Sequence, residues 1–216
     1  MRKQWVCVLT MTMLLLTGCG GGVSQAEREA LALRGEYLAA PSCTGQVELT
    51  ADYGQRVVRY GAMAEVEGDH TVLHLTAPET VAGLTAHLDG RDSALELDEV
   101  LVETGTLDGA ALTPLNALPL LLETIRSGYI TACSYTEDDL LRVDCGDPEL
   151  GPGRGREVSL WFDGAHDPVR GEIFRDGVLV LTCDFLDFQR ELERNQNAGQ
   201  TNDAYLGGDR SGCSDP

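Results

Sequence analysis

Positive charge is what this 216-residue chain has least of: 16 lysines and arginines stand against 35 aspartates and glutamates, a formal charge of −19. Lys3 is its one lysine. No basic footprint for a phosphate backbone can be assembled from that, which excludes a nucleic-acid binder. Adsorption to anionic lipid headgroups is excluded for the same reason. Aromatics are scarce, at 6%, so a core has to be built from leucine, valine and alanine. No apolar run is long enough to cross a bilayer as a permanent helix. No two cysteines have the CxxC spacing of a zinc or redox site. There is no Gly-x-Ser-x-Gly elbow and no cysteine in a recognisable nucleophile context, so the chain offers no local signature of catalysis.

What is present begins at the N-terminus. Arg2 and Lys3 precede a mostly apolar run from Trp5 to Leu16, which closes on Leu16-Thr17-Gly18-Cys19. That is the layout of a secretory signal peptide, and a cysteine directly after the small residues resembles the bacterial lipobox. The resemblance implies cleavage after residue 18 and lipidation of Cys19. The mature chain would sit on the outer face of the bacterial cytoplasmic membrane, held by lipid. Loss of Arg2 and Lys3 takes the formal charge from −19 to −21. Cys7 goes with the signal, leaving Cys43, Cys133, Cys145, Cys183 and Cys213. Five is odd, so at least one thiol stays free or pairs between chains.

Ser24-Gln25-Ala26-Glu27 is a capping box, and a helix is expected to about Leu38, ended by Pro41. A long series of strand signals follows. Cys43, Gly45, Val47, Leu49 and Ala51 alternate with polar residues at period two. Val58, Tyr60, Ala62, Ala64 and Val66 form a second apolar row, and Leu73, Leu75 and Ala77 a third. Shorter strands are expected at 84–88, 93–97 and 100–104. Leu118, Leu121, Leu122 and Ile125 then recur at helical spacing. Pro119 places the start of this second helix near Ala117, with Asn116 as N-cap and Gly128 as stop. Strands resume at 129–135, 141–145, 157–162, 168–175 and 178–186, the last two joined by the hairpin signal Asp176-Gly177. From Arg190 the chain is polar, with one helical turn expected to Asn195 and disorder beyond. The expected division is 1–18 signal peptide, 19–25 anchor and linker, 26–188 folded domain, and 189–216 polar tail.

This order of elements resembles the bacterial lipoprotein-carrier (LolA-like) half-barrel superfamily. The residues carrying the resemblance are 73–88 (LHLTAPETVAGLTAHL), 113–128 (TPLNALPLLLETIRSG) and 159–188. The last stretch holds Trp161-Phe162-Asp163, Pro168, Glu172-Ile173, Asp176-Gly177 and Cys183-Asp184-Phe185. A lipidated start and a mid-chain helix bring it nearest the clostridial germination lipoproteins. The resemblance implies an α+β, mainly β fold: one strongly curved, unclosed antiparallel sheet of about eleven strands, its concave face plugged by an N-terminal and a mid-chain helix. It also implies a lipid or lipidated peptide as ligand, or an envelope protein as partner, with a cell-wall amidase as the specific version.

The candidate lining of the concave face is Val47, Leu49, Val58, Tyr60, Leu73, Leu75, Val158, Leu160, Leu179, Leu181 and Phe185. Against it lie Leu118, Leu121, Leu122 and Ile125. A filled core and a chamber for acyl chains both fit this set. His70 and His74, four residues apart on a strand, lie about 13 Å from one another, too far to share a metal. His87 and His166 stand alone in sequence. Cys133 and Cys145 flank one hairpin: a four-residue turn would point them to opposite faces, and a five-residue loop would turn both inward, diagonal to one another and at roughly 6–8 Å far apart for a disulfide. The reading is therefore a non-enzymatic, lipid-anchored envelope lipoprotein without cofactor or metal. An envelope hydrolase on the same scaffold, or a structural surface lipoprotein without a pocket, are its alternatives.

Overall fold

The computed structural model describes residues 23–90, 92–106 and 112–191. The expected signal peptide, Cys19, the chain beyond 191 and Cys213 lie outside the described residues. Helix α1 spans Gln25–Ala39. Six strands follow: β1 Ser42–Asp52, β2 Val57–Glu67, β3 His70–Ala77, β4 Thr85–Asp89, β5 Asp92–Leu97 and β6 Val100–Thr106. Helix α2 spans Pro114–Ser127. Five more strands complete the fold: β7 Ile130–Tyr135, β8 Leu141–Cys145, β9 Arg156–Phe162, β10 Pro168–Arg175 and β11 Val178–Glu191.

All eleven strands form one antiparallel sheet in the order β6-β5-β4-β3-β2-β1-β11-β10-β9-β8-β7. It is two meanders joined where β1 meets β11. Among the described residues β6 and β7, at the two ends of this order, do not pair, so the sheet is an unclosed half-barrel, as the resemblance implies. Short hairpins account for most of this order, since antiparallel neighbours need only a tight connection. The Asp176-Gly177 turn between β10 and β11 carries both residues at positive φ, 50° and 76°, as a type I′ hairpin requires. The β1–β11 seam has a bulge at Gln46/Val47. Beside it, a Cβ on Gly45 would lie 1.8 Å from the Asp187 carbonyl oxygen, so no side chain fits there.

Alternation along the strands sets the core. Val47, Leu49, Ala62, Ala64, Leu73, Leu160, Ile173 and Leu181 are buried in one cluster with α2. His70 and His74 are exposed, on the face opposite buried Thr71, Leu73 and Leu75. The capping box at Ser24 forms as expected: Glu27 N–H donates to Ser24 Oγ, and the Ser24 N–H to the Glu27 carboxylate.

Two elements depart from expectation. Helix α2 starts one turn earlier than Pro119 suggested. Thr113 is its N-cap, Pro114 occupies the first turn, and Asn116 closes a capping box from the third position instead of acting as N-cap. Pro119 therefore sits inside the helix. An interior proline costs about 3 kcal/mol. Full burial of a leucine or isoleucine returns roughly 1.5–3 kcal/mol, and Leu118, Leu121, Leu122 and Ile125 are all buried, so the helix holds. The second departure is β11, which runs five residues past its expected end. Arg190 and Glu191 are strand rather than a helical turn because β1 offers them partners, in the pairs Cys43↔Arg190 and Ser42↔Glu191.

Candidate functional site

Helix α2 is the centre of the site. Its apolar face lies on β1, β9 and β11 and its side against α1. The Leu121 side chain packs directly on the β10 backbone, where a Cβ on Gly171 would sit 2.6 Å from Leu121 Cδ1. A side chain at 171 would have to displace Leu121. Its C-terminus is held by two arginines, which suits the negative end of the helix dipole. Arg34 of α1 donates from Nε to the Ile125 carbonyl at 2.9 Å and from Nη2 to the Gly128 carbonyl at 2.6 Å. Arg126 donates to the Tyr37 carbonyl at 3.3 Å and to the Gly68 carbonyl at 3.0 Å. The chain leaves the helix at Gly128, the C-cap, whose backbone is extended and where a side chain would meet the Thr124 carbonyl oxygen at 2.6 Å; this is the stop read from the sequence.

The structure brings most of the candidate lining together beneath α2. Val47, Leu49, Leu73, Leu75, Val158, Leu160, Leu181 and Phe185 are buried with Leu118, Leu121, Leu122 and Ile125. Val58, Tyr60 and Leu179 are half-buried. Beside this layer, between α2 and the ends of β2, β3 and β4, lies a cleft of about 630 Å³. Its apolar wall is Val66, Leu88, Leu112, Pro119, Leu120 and Leu122. Asp69, Asn116, Glu123, Arg126 and Arg156 supply its polar groups. Of the residues singled out from the sequence, Leu122 lines both the core and this cleft. Val66 stands in a period-two row and Asn116 and Pro119 mark the helix start in sequence, but the cleft itself was missed because it is made where strand ends meet the flank of α2.

A second constellation was also missed. His166, at positive φ in the β9–β10 turn, lies 3.0 Å from the Glu36 carboxylate and 3.6 Å from that of Glu29, both on α1. Arg190 reaches the same Glu36 at 2.6 Å and Asp167 at 3.3 Å, and stacks over the Tyr37 ring at 4.8 Å. The Tyr37 hydroxyl donates to the His166 carbonyl at 3.2 Å. Burial pushes the Glu36 carboxyl up, but hydrogen bonds and charge from Arg190 and His166 outweigh it and bring the pKa below the ordinary 4.5. For Arg190, burial works against the charged form, and Glu36, Tyr37 and Asp167 overcome it, raising its pKa. The cluster clasps α1 to the rim of the sheet. It resembles a His–carboxylate pair only in outline, since both carboxylates are engaged and His166 does not line the cleft. Cys43, a buried neighbour, has its thiol pKa raised by that burial, which disfavours a thiolate nucleophile.

Among the described residues no group of three histidines, cysteines or acids is placed to hold a metal ion, and no helix is long and apolar enough to cross a membrane. Cys43, Cys133, Cys145 and Cys183 are free thiols. Cys133 pairs with Val143, and Tyr135 with Leu141. Burial pushes the Cys145 thiol up to about 11.

No family model matches the chain, and no curated protein does. Solved structures do match. A LolA superfamily protein from Nitrosomonas europaea is 14% identical, with a TM-score of 0.38, over 75% of this chain and 92% of its own. The lipoprotein LppX of Mycobacterium tuberculosis is 16% identical, with a TM-score of 0.37, over 74% of this chain and 94% of its own. A chain from the complex of the CwlD amidase of Clostridioides difficile with the GerS lipoprotein is 12% identical, with a TM-score of 0.39, over 79% of this chain and 99% of its own. The chain is similar to the LolA-like half-barrels. The half-barrel here has its mid-chain helix seated in the hollow, with the cleft running along that helix's flank.

Proposed function

We propose that this chain is a lipid-anchored, extracytoplasmic binding protein that takes a hydrophobic ligand, a lipid or a lipidated peptide, into the cleft beside α2, without catalysis. The observation that supports this reading is the cleft itself. Its volume of about 630 Å³ falls within the range of small-molecule sites, and its apolar wall is rimmed by groups that can orient a polar head. The buried residues under α2 are an extension of that wall, open to an acyl chain only if α2 shifts. Titration of the mature protein with a dansylated fatty acid tests it. Saturable binding is expected, weakened about tenfold, or 1.4 kcal/mol, when Leu120→Trp fills the cleft. No saturable binding, or binding indifferent to Leu120→Trp, removes this site.

One observation favours a protein partner as the second reading. Among the described residues β6 is an edge of the sheet, and it exposes Val100, Leu101 and Val102, with Leu97 beside them on β5. An edge strand with exposed apolar side chains is suited to pairing with an extended segment of another protein. For a tethered half-barrel of the germination type that partner would be a cell-wall amidase. Site-specific cross-linking from Leu101 in envelope extract tests this, and cross-links that persist from a convex-face position such as Arg59, but not from Leu101, count against it.

A further inference from the structure

The outward face of α1 has an unusual composition for a helix on so acidic a protein. From residue 31 on, its exposed positions are Leu31, Ala32, Gly35, Leu38 and Ala39. None is charged. Arg34 and Glu36 lie in the same stretch, but Arg34 is turned onto the carbonyls ending α2 and Glu36 into the clasp with Arg190 and His166. Leu31 is 56% exposed and Leu38 63%, seven residues apart and so on one side of the helix. Val23, just before the N-cap, is 51% exposed. A surface helix ordinarily shows its charged stripe to water and its apolar stripe to the core. Here both long sides of the second half are apolar.

The position of α1 in the chain says what covers it. Four residues separate Cys19 from the N-cap Ser24, and five fully extended steps of chain span at most about 18 Å. With Cys19 lipidated, the start of α1 stays within about 18 Å of the anchoring residue. Tethering at that range turns weak contacts into an intramolecular event at high effective concentration, so two half-exposed leucines suffice where they would not in solution. We infer that the Leu31–Leu38 face of α1 rests on the lipid bilayer surface and so fixes the orientation of the half-barrel on the membrane. The charge of the chain limits the surface to one of low negative charge. The inference rests on the anchor at Cys19 proposed above.

The test uses the mature full chain carrying Leu38→Trp in a Trp161→Phe background, on phosphatidylcholine vesicles with and without brominated acyl chains. Sedimentation with the vesicles reads the anchor, and quenching reads the helix face. Emission in brominated vesicles should fall at least about twofold, as expected for a side chain at the headgroup–acyl boundary, and Leu31→Asp should abolish the quenching while sedimentation persists. Sedimentation with unquenched Trp emission at position 38 overturns the docking and leaves that face to a protein. If the chain does not sediment, the anchor fails by itself. An N-terminal histidine tag on nickel-chelating lipid then supplies the tether, and quenching of Trp emission at position 38 still decides the helix face.

Discussion

The two wings of the sheet are treated differently. The β7–β11 wing, with β1, is covered: α1 packs on β7 and β8, and α2 on β1, β9 and β11. In the other wing no described side chain of β5 or β6 is buried, and four large apolar groups there face water. The cleft lies on the boundary, with α2 as one wall and the ends of β2, β3 and β4 as the other. Covered strands hold the fold together, and uncovered ones are left for something else to touch. The cleft and the edge proposed above for ligand and partner therefore fall at the boundary and beyond it.

The strongest way to break this comparison is to hollow the covered wing. Leu121→Ala should cost about 2–5 kcal/mol, the range for a buried leucine deletion, read from urea unfolding. Gly171→Ala alone should also destabilise, because its methyl would lie 2.6 Å from Leu121 Cδ1. The pair should cost less than the two changes summed, since the new methyl enters space the leucine leaves. Strict additivity would mean that α2 does not rest on β10.

A smaller effect is expected at the clasp that closes the covered wing. Arg190 has a side chain only 6% exposed, and cutting one partner from a buried ion pair costs about 3–5 kcal/mol. Glu36 and Asp167 keep 39% and 33% of their side-chain surface in water, so solvent takes over part of the lost contact. Arg190→Met should cost about 2 kcal/mol, below that range. The clasp also sets a pH dependence. Glu36 is held below its ordinary pKa of 4.5, so it binds fewer protons folded than unfolded near that value. Its contribution is complete above pH 4.5 and is lost as pH falls through the lower, folded pKa. Glu36→Gln should flatten that acid limb in thermal melts taken across it. An unchanged limb would assign the acid sensitivity to other carboxylates.

Legibility in the sequence follows the same boundary. Period-two rows such as Val47-Leu49-Ala51 and Leu73-Leu75 report one face buried and one wet, and they gave the strands and the sheet. The capping box at Ser24 and the hairpin at Asp176-Gly177 are local chemistry and were readable for that reason. Pro119 misled because a local rule was applied where tertiary burial outweighs it. Glu36, His166 and Arg190 are separated by up to 154 residues, and nothing local ties them. The cleft was unreadable for the same reason, since β2–β4 and α2 meet there only through the curvature of the sheet.

The smallest expected effect is at the uncovered edge, and it is the one that sharpens the comparison most. Leu101→Ser removes as much apolar side chain as the Leu121 deletion, but Leu101 is 57% exposed and among the described residues pairs only with Glu96 on β5. Substitutions at such sites usually change stability by less than about 0.5 kcal/mol, and the urea midpoint should barely move. The slope of the transition should also hold, because little surface is newly exposed. A loss comparable with that of Leu121→Ala would mean that something covers β6 in the folded chain. The free edge would then be a closed one, and the two wings would differ in length rather than in kind.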